Sequence, residues 1–268
     1  MSASPVADAI HAAKAAQGGA LIGYLPIGFP DLEQSVEAAV ALVEAGVDVL
    51  ELGLPYSDPV MDGPVIQAAT QAALVAGFRV KDVFTAVRAV RERVRAPILV
   101  MTYWNPVLQY GVERFADDLK AAGGAGLITP DITPDSAADW LAASERAGLD
   151  RVFLAAPTST DERLRLAAAH SRGFVYTVST MGITGARTDV DAAARTLATR
   201  LRAVGADPIC VGIGISTPEQ VHDVLRYADG AIVGSALVKA LADGGVSAVA
   251  SLAAALARGA RDTPSLAD

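Results

Sequence analysis

Residues 47–64 read VDVLELGLPYSDPVMDGP, an apolar strand that ends in a glutamate and runs into a proline-rich loop. The first four residues are typical of a buried strand. Glu51 follows at the carboxyl end of this strand and shares one side of it with Val49, so its side chain should point inward. Burial disfavours the charged form of a carboxyl group, so we expect its pKa to be raised towards neutrality, which suits a proton donor or acceptor.

The loop after Glu51 carries a further carboxylate, Asp62, and its three prolines restrict the backbone to few conformations. A stiff loop can hold a side chain in one direction, so Glu51 and Asp62 together are typical of an acid/base site. Two simpler interpretations stay open at this point. Glu51 could cap the strand end or pair with an arginine, and Asp58 and Asp62 could be ordinary turn formers before proline and glycine.

The strand that leads to Glu51 is one of about eight short apolar segments that alternate with longer, alanine-rich segments of helical periodicity. The predicted strands are 20–25, 47–52, 97–103, 126–129, 151–155, 174–178, 209–212 and 231–233. The predicted helices include 32–45, 80–94, 112–122, 134–147, 161–170, 190–204 and 218–227. This alternation predicts an α/β protein with a parallel sheet. Eight such units in 268 residues predict one domain, 1–268, built as a (β/α)8 TIM barrel.

Two helices are expected in addition to the repeating units. A helix at 6–16 should close the floor of the barrel, and a short helix at 236–240 should precede the last one. Gly234 and Ser235 stand directly before that short helix, and glycines also follow the two preceding strands, at 179–186 and 212–216. Backbone N–H groups at a helix N-terminus bind phosphate, and glycine allows the close approach. One glycine pair alone is more often a tight turn, but two at adjacent strand ends indicate a phosphate pocket.

The remaining reactive residue types narrow the chemistry. The three histidines and four lysines lie on or beside predicted helices, so neither a histidine base nor a Schiff-base lysine is expected at a strand end. No plausible group of metal ligands is present. The single cysteine, Cys210, lies in an apolar strand and is better explained as a buried thiol than as a nucleophile. Proton transfer by carboxylates on a phosphorylated small molecule is the chemistry that remains.

Charge and hydropathy exclude other classes. The net charge of −8 and the lack of a basic stripe argue against nucleic-acid binding. The apolar runs are too short and too often interrupted for a membrane span, and the first residues lack the features of a signal peptide. We therefore expect a cytoplasmic protein with no membrane contact.

Five segments together resemble the tryptophan synthase alpha subunit family. They are 51–67, the opening YLPIGFP at 24–30, and residues 184–186, 212–216 and 234–236. The similarity extends over nearly the whole chain and is most specific at 58–64. It implies a TIM barrel that cleaves indole-3-glycerol phosphate to indole and glyceraldehyde 3-phosphate in a retro-aldol reaction.

The resemblance also implies roles for individual residues. The catalytic pair of the family corresponds to Glu51 and Asp62. The residues around the substrate phosphate correspond to Gly185, Gly214, Gly234 and Ser235, and the indole pocket corresponds to Tyr24, Met101, Ile128, Tyr176, Ile213 and Ile232. Thr184 and Gly185 would fold over the bound substrate. Protonation of indole C3 by Glu51 makes the ring itself the electron sink, which explains why neither lysine nor metal is needed. Asp62 would hydrogen-bond the indole N–H and stabilise its developing positive charge.

The chain departs from the usual family pattern at three places. Met61 stands where alanine is commoner, Ile132-Thr133 where leucine-proline is usual, and Tyr24 where phenylalanine is frequent. None of these changes removes a catalytic group.

The resemblance further implies a partner, the tryptophan synthase beta subunit, in an α2β2 heterotetramer. The cofactor, pyridoxal phosphate, would belong to that subunit, with none in this chain. We expect the contact at an exposed apolar rim formed by residues 54–56, beside the polar Asp58, Asn105 and Asp131. A lid over the site is expected at 179–189, because its glycines and small residues suit a mobile loop.

Other functions stay open alongside this one. A different phosphate-binding barrel would explain the glycine-rich loops but not the motif at 57–64. A stand-alone indole-3-glycerol phosphate lyase would keep the site without the partner. A mainly regulatory subunit would bind the phosphorylated ligand and act through its complex, so partner addition would create activity instead of accelerating it.

Overall fold

A parallel sheet organises the chain in a computed structural model that describes residues 4–178, 187–212 and 214–261. Within those ranges nine strand segments lie in one sheet, in the order β5-β4-β3-β2-β1-β9-β8-β7-β6. The segments are β1 Ala20–Pro26, β2 Val49–Gly53, β3 Ile98–Met101, β4 Gly126–Ile128, β5 Asp150–Val152, β6 Leu154–Ala155, β7 Val175–Val178, β8 Ile209–Gly212 and β9 Gly230–Val233.

The sheet closes on itself through β5 and β6. These segments stand at the two ends of the strand order, yet only Phe153 separates them along the chain. The carbonyl of Phe153 accepts a hydrogen bond from the Tyr176 N–H at 3.1 Å, so the chain stays in the sheet across the break. The two segments therefore form one strand of an eight-stranded barrel, and the predicted TIM barrel is confirmed.

The helices alternate with the strands along the chain. They are α1 Pro5–Gln17, α2 Leu32–Glu44, α3 Pro64–Val75, α4 Val80–Arg91, α5 Trp104–Tyr110, α6 Val112–Ala121, α7 Ala138–Ala147, α8 Asp161–His170, α9 Arg187–Ala203, α10 Pro218–Leu225 and α11 Ser235–Arg261, with a 3₁₀ turn at Pro134–Ser136. Each predicted helix has a counterpart, but α3 and α5 were not predicted. Only Ala69, Thr70 and Ala73 of α3 are buried, so it lacks the apolar periodicity by which the others were recognised.

Helix α11 contains the predicted break between a short helix and the last one. It is long and apolar enough to cross a membrane, but Gly245 has a φ of 65° and a ψ of −161°, which interrupts the helix. Leu237 and Leu241 before the break and Leu256 after it are buried in the core around the barrel. Packing in the core therefore accounts for part of the apolar composition of this segment.

Helix α1 closes the floor of the barrel, as predicted. Val6, Ile10 and Ala13 on one face of α1 pack among the inward-facing strand residues. Polar contacts hold both ends of the helix: Ser4 Oγ donates to Asp150 Oδ2 at 2.8 Å, and Lys14 Nζ donates to Asp229 Oδ1 at 2.7 Å. The opposite end of the barrel interior is left for the carboxyl ends of the strands.

Candidate active site

Glu51 lies in the barrel interior near the carboxyl end of β2. Its backbone is in register with Tyr24 of β1 on one side and Leu99 of β3 on the other. The residue is fully buried, and neither carboxyl oxygen has a hydrogen-bond partner within the described residues. The prediction that Glu51 points inward is confirmed, and strand capping or arginine pairing does not explain it. Burial raises the pKa of Glu51 to about 8.

Asp62 lies two residues before the first residue of α3 and is partly buried. Tyr103 Oη donates a hydrogen bond to Asp62 Oδ1 at 3.2 Å and accepts one from the Met61 N–H at 2.9 Å. The side-chain amide of Gln67 donates to the Asp62 carbonyl at 2.7 Å. Burial raises the pKa of Asp62, and the hydrogen bond from Tyr103 partly opposes that rise. Asp62 is thus held by specific contacts, which a free turn residue would lack.

Each of two tyrosines occupies the space that a glycine leaves at the end of the adjacent strand, Tyr24 beside Gly53 of β2 and Tyr176 beside Gly212 of β8. A Cβ atom placed on Gly53 would lie 2.3 Å from Tyr24 Oη, and one placed on Gly212 would lie 2.7 Å from Tyr176 Oη. Burial, together with the charge of Glu51 among other groups, raises the pKa of both phenols well above the ordinary value. Both tyrosines therefore stay protonated and can act as hydrogen-bond donors.

Three other residues of the predicted indole pocket also face the barrel interior. Ile128 and Ile232 belong to the inner cluster, and Met101 packs against it while remaining partly exposed. Tyr176 packs against the same cluster. The structure therefore brings Met101, Ile128, Tyr176 and Ile232 to the interior that Glu51 enters.

The predicted phosphate residues divide between described and undescribed parts of the chain. Ser235 begins α11, with Gly234 directly before it. Gly214 is exposed, has a φ of 73° that favours glycine, and has open space where a side chain would stand. Thr184, Gly185, Ile213 and most of the predicted lid at 179–189 lie outside the described residues.

The predicted apolar rim is wrong in its position. Leu54 and Pro55 are buried, and of the predicted rim only Tyr56 is partly exposed. The Leu54 N–H donates to the Met101 carbonyl at 2.9 Å, so the chain continues the sheet for one more residue. The large apolar residues that are exposed in this part of the sequence come after residue 56. They are Val60 at 79%, Met61 at 37% and Val65 at 36%, with Leu108 at 52% on α5.

Two features of the site were missed in the sequence. Tyr103, the last residue of the predicted strand 97–103, was assigned no specific role, yet it holds Asp62 by a hydrogen bond. Helix α3 starts directly after the loop that carries Asp62, with Gly63 as N-cap and Pro64 in the first turn. The Gly-Pro pair is a usual helix start, so it was the signal that could have identified the helix.

The chain resembles known proteins over nearly its full length. A model of the tryptophan synthase alpha chain family matches residues 10–262. The tryptophan synthase alpha chain of Leifsonia xyli subsp. xyli is 72% identical over 257 residues, which cover 96% of this chain and 98% of that protein. The counterpart in Mycobacterium avium strain 104 is 58% identical over 242 residues, covering 90% of this chain and 89% of that one.

Solved structures agree with the sequence comparison. A chain in a structure of Mycobacterium tuberculosis tryptophan synthase superposes with a TM-score of 0.92 at 53% identity, covering 97% of this chain and 99% of that chain. The tryptophan synthase alpha subunit of Legionella pneumophila superposes with a TM-score of 0.88 at 31% identity, covering 97% of this chain and 99% of that one.

Proposed function

This chain belongs to the tryptophan synthase alpha chain family, and on that basis we propose that Glu51 and Asp62 cleave indole-3-glycerol phosphate in its barrel. The family's members are lyases of tryptophan biosynthesis, and so is this chain. One observation carries the assignment of Glu51: its carboxyl group is fully buried at the open end of the barrel interior without a hydrogen-bond partner among the described residues. Such a group is costly to keep unless a ligand or a proton satisfies it.

The reaction follows from the protonation states of the two carboxyl groups. Glu51, protonated near neutral pH, donates its proton to indole C3, and the ring becomes a cation that can accept the electrons of the bond to the side chain. The hydroxyl on the adjacent carbon then loses its proton to the Glu51 carboxylate as the carbon–carbon bond breaks and the aldehyde forms. In its ionised form, Asp62 accepts a hydrogen bond from the indole N–H and stabilises the transient positive charge.

The phosphate of the substrate is assigned to the start of α11. Gly234 and Ser235 present backbone N–H groups at that helix N-terminus, where the helix dipole favours an anion. Gly214, two residues after β8, and Gly185, by family resemblance, complete the assigned set. The substrate therefore extends from the β2 side of the barrel mouth to the β9 side.

Activity is expected to depend on pH through both carboxyl groups. Because Glu51 must be protonated to donate, kcat/KM should fall as the pH rises through about 8. Asp62 must be ionised, and since its pKa is raised, the acid limb should lie above the pH at which an ordinary aspartate titrates. The measurement is kcat/KM for indole release from pH 5 to pH 10. A flat profile between pH 7 and 9.5 would contradict the role of Glu51.

We also propose that the chain works in an α2β2 complex with the beta subunit. Pyridoxal phosphate belongs to that partner and not to this chain. The structural relatives include chains from M. tuberculosis tryptophan synthase, which supports an assembly of the same kind. The exposed Val60 and Met61 lie in the loop that carries Asp62, so docking there can change the position of a catalytic group. Function in the cytoplasm as one domain, 1–268, accords with this assignment.

Titration with the cognate beta subunit is expected to give a complex and to raise the rate of indole release. Val60→Asp should weaken the complex by at least tenfold, because it places a charge in an apolar contact. Val75→Asp at the far end of α3 is the matched control, since Val75 is 78% exposed and Val60 79%. Indole release and complex formation are measured together, with and without partner.

The outcomes of that titration separate the open alternatives. A basal rate that the partner accelerates supports the lyase within a complex, whereas activity that exists only with the partner supports a regulatory subunit. No complex at micromolar concentrations, with full activity alone, would indicate a stand-alone lyase. Equal effects of Val60→Asp and Val75→Asp would place the interface elsewhere.

A further inference from the structure

The Tyr24 side chain, on β1, lies between the ends of the two neighbouring strands, β9 and β2. Near its base, a Cβ atom placed on Gly234 would lie 3.4 Å from Tyr24 Cδ1; at its tip, one placed on Gly53 would lie 2.3 Å from Oη. The ring therefore begins beside the residue assigned to phosphate and ends beside the strand that carries Glu51. A side chain on Gly53 would displace the phenol, so glycine is needed there for this placement.

Tyr24 is only 7% exposed as a residue and makes no hydrogen bond with another described residue, but its hydroxyl oxygen is not among the fully buried, unsatisfied atoms. The oxygen is therefore open to the barrel mouth, and a phenylalanine would keep the ring without this polar atom. The oxygen lies over Gly53, two residues after Glu51 on the same face of β2, which is one step towards the mouth. A polar group in this place points to a polar atom of a bound ligand.

We propose that the Tyr24 hydroxyl hydrogen-bonds the substrate hydroxyl on the carbon attached to the indole ring, and so selects substrates with a hydroxylated side chain. This inference rests on the proposed function and deepens it. The bond holds the reacting hydroxyl beside Glu51, which takes its proton. Tyr24 is thus a residue for positioning and specificity at this site, in addition to lining the indole pocket.

The other polar groups of the substrate are matched to other residues. The phosphate lies at Gly234 and Ser235, where only carbon atoms of Tyr24 approach, and the indole N–H is bound by Asp62. A substrate bound at both Ser235 and Asp62 places its glycerol chain along the Tyr24 ring. The hydroxyl on the carbon attached to the indole then lies at the tip of that ring, beside the Tyr24 hydroxyl. The charges of Asp62 and Glu51, after burial, raise the pKa of Tyr24, so the phenol remains a neutral donor.

The test compares two ligands that differ only in the chain hydroxyls. Affinities for indole-3-glycerol phosphate and for indole-3-propyl phosphate, which has no chain hydroxyl, are measured by calorimetry in the Glu51→Gln background, with and without Tyr24→Phe. We expect Tyr24→Phe to weaken binding of the glycerol phosphate about three- to tenfold, as for loss of one neutral hydrogen bond, and that of the propyl phosphate less than twofold. Tyr227→Phe, which removes a hydroxyl bonded to Asp191, is the control and should change neither.

The result that overturns the inference is an equal change, or no change, in the two affinities. A purely structural role of Tyr24 would weaken both ligands alike, so the ratio separates the two explanations. Failure of the proposed function has a different signature: indole-3-glycerol phosphate would bind neither variant, or Glu51→Gln would release indole at the unmodified rate. In the latter case the Tyr24→Phe single variant is used. The change that it causes in kcat/KM for indole-3-glycerol phosphate is compared with the change in the inhibition constant of indole-3-propyl phosphate.

Discussion

Replacing Glu51 by glutamine is expected to lower the rate of indole-3-glycerol phosphate cleavage by about two to four orders of magnitude. The amide has the size of the carboxyl group but no proton to donate to indole C3. Because Glu51 has no hydrogen-bond or ion-pair partner among the described residues, the substitution breaks no contact in the ligand-free protein. Substrate affinity should therefore change far less than the rate.

The stability of this variant provides an independent check. Burial raises the pKa of Glu51 from 4.5 to about 8, so the folded protein binds this proton more tightly than the unfolded chain. The contribution of this bound proton to folding stability is fully present below pH 4.5 and is lost as the pH rises through 8. Glutamine cannot ionise, so the Glu51→Gln variant escapes this loss. The free energy of unfolding of the variant, minus that of the unmodified protein, should therefore be more positive at pH 9 than at pH 6. Thermal unfolding at both values measures this.

A matched control for Glu51→Gln is the same substitution at Glu37. Glu37 lies on the outer surface of α2 and pairs with Arg93, an exposed ion pair that contributes little to stability. Glu37→Gln should retain the full rate of indole release. A Glu51→Gln enzyme within threefold of the unmodified rate would remove Glu51 from the mechanism.

Replacing Asp62 by asparagine is expected to lower the rate by about two to three orders of magnitude, since a neutral amide cannot stabilise the positive charge on the indole ring. The hydrogen bond from Tyr103 can still be accepted by the amide oxygen, so the loop should keep its position. Indole release is measured without the partner, together with the affinity for indole-3-propyl phosphate to confirm an intact pocket.

The control for the catalytic loop is Asp58→Asn in the same assay. Asp58 is exposed and accepts a hydrogen bond from the adjacent Ser57 at 2.6 Å, so its loss removes a charge from the same loop without entering the barrel. A similar fall in rate for Asp58→Asn and Asp62→Asn would show that loop charge in general matters, and would withdraw the specific role of Asp62.

The regular part of the fold was predictable because strand and helix periods differ. The bounds of α8 agree with the prediction at both ends, and the predicted strands match the barrel strands to within about two residues at each end. The inward direction of Glu51 followed from the alternation of side chains along β2. Helices α3 and α5 were not predicted, because α3 has only a small buried face and α5 has seven residues with a proline among them.

The site divides in a similar way between sequence and structure. The order of residues along the chain determined that Glu51 and Asp62 come from the same strand end and loop, because both lie within twelve residues. Family resemblance named their partners in the pocket. The burial of Leu54 and Pro55 was predicted wrongly, since whether a residue after a strand is covered depends on neighbouring segments distant in sequence.

The sequence by itself determined the alternation of strands and helices, the side of β2 that Glu51 occupies and the family to which the chain is similar. Only the tertiary structure decided that both Glu51 oxygens lack a partner among the described residues, that Tyr103 holds Asp62 and that Tyr24 reaches over Gly53. The physical reason is that local periodicity depends on residues a few positions apart. Solvation and hydrogen bonding in a closed barrel instead depend on strands brought together from across the whole chain.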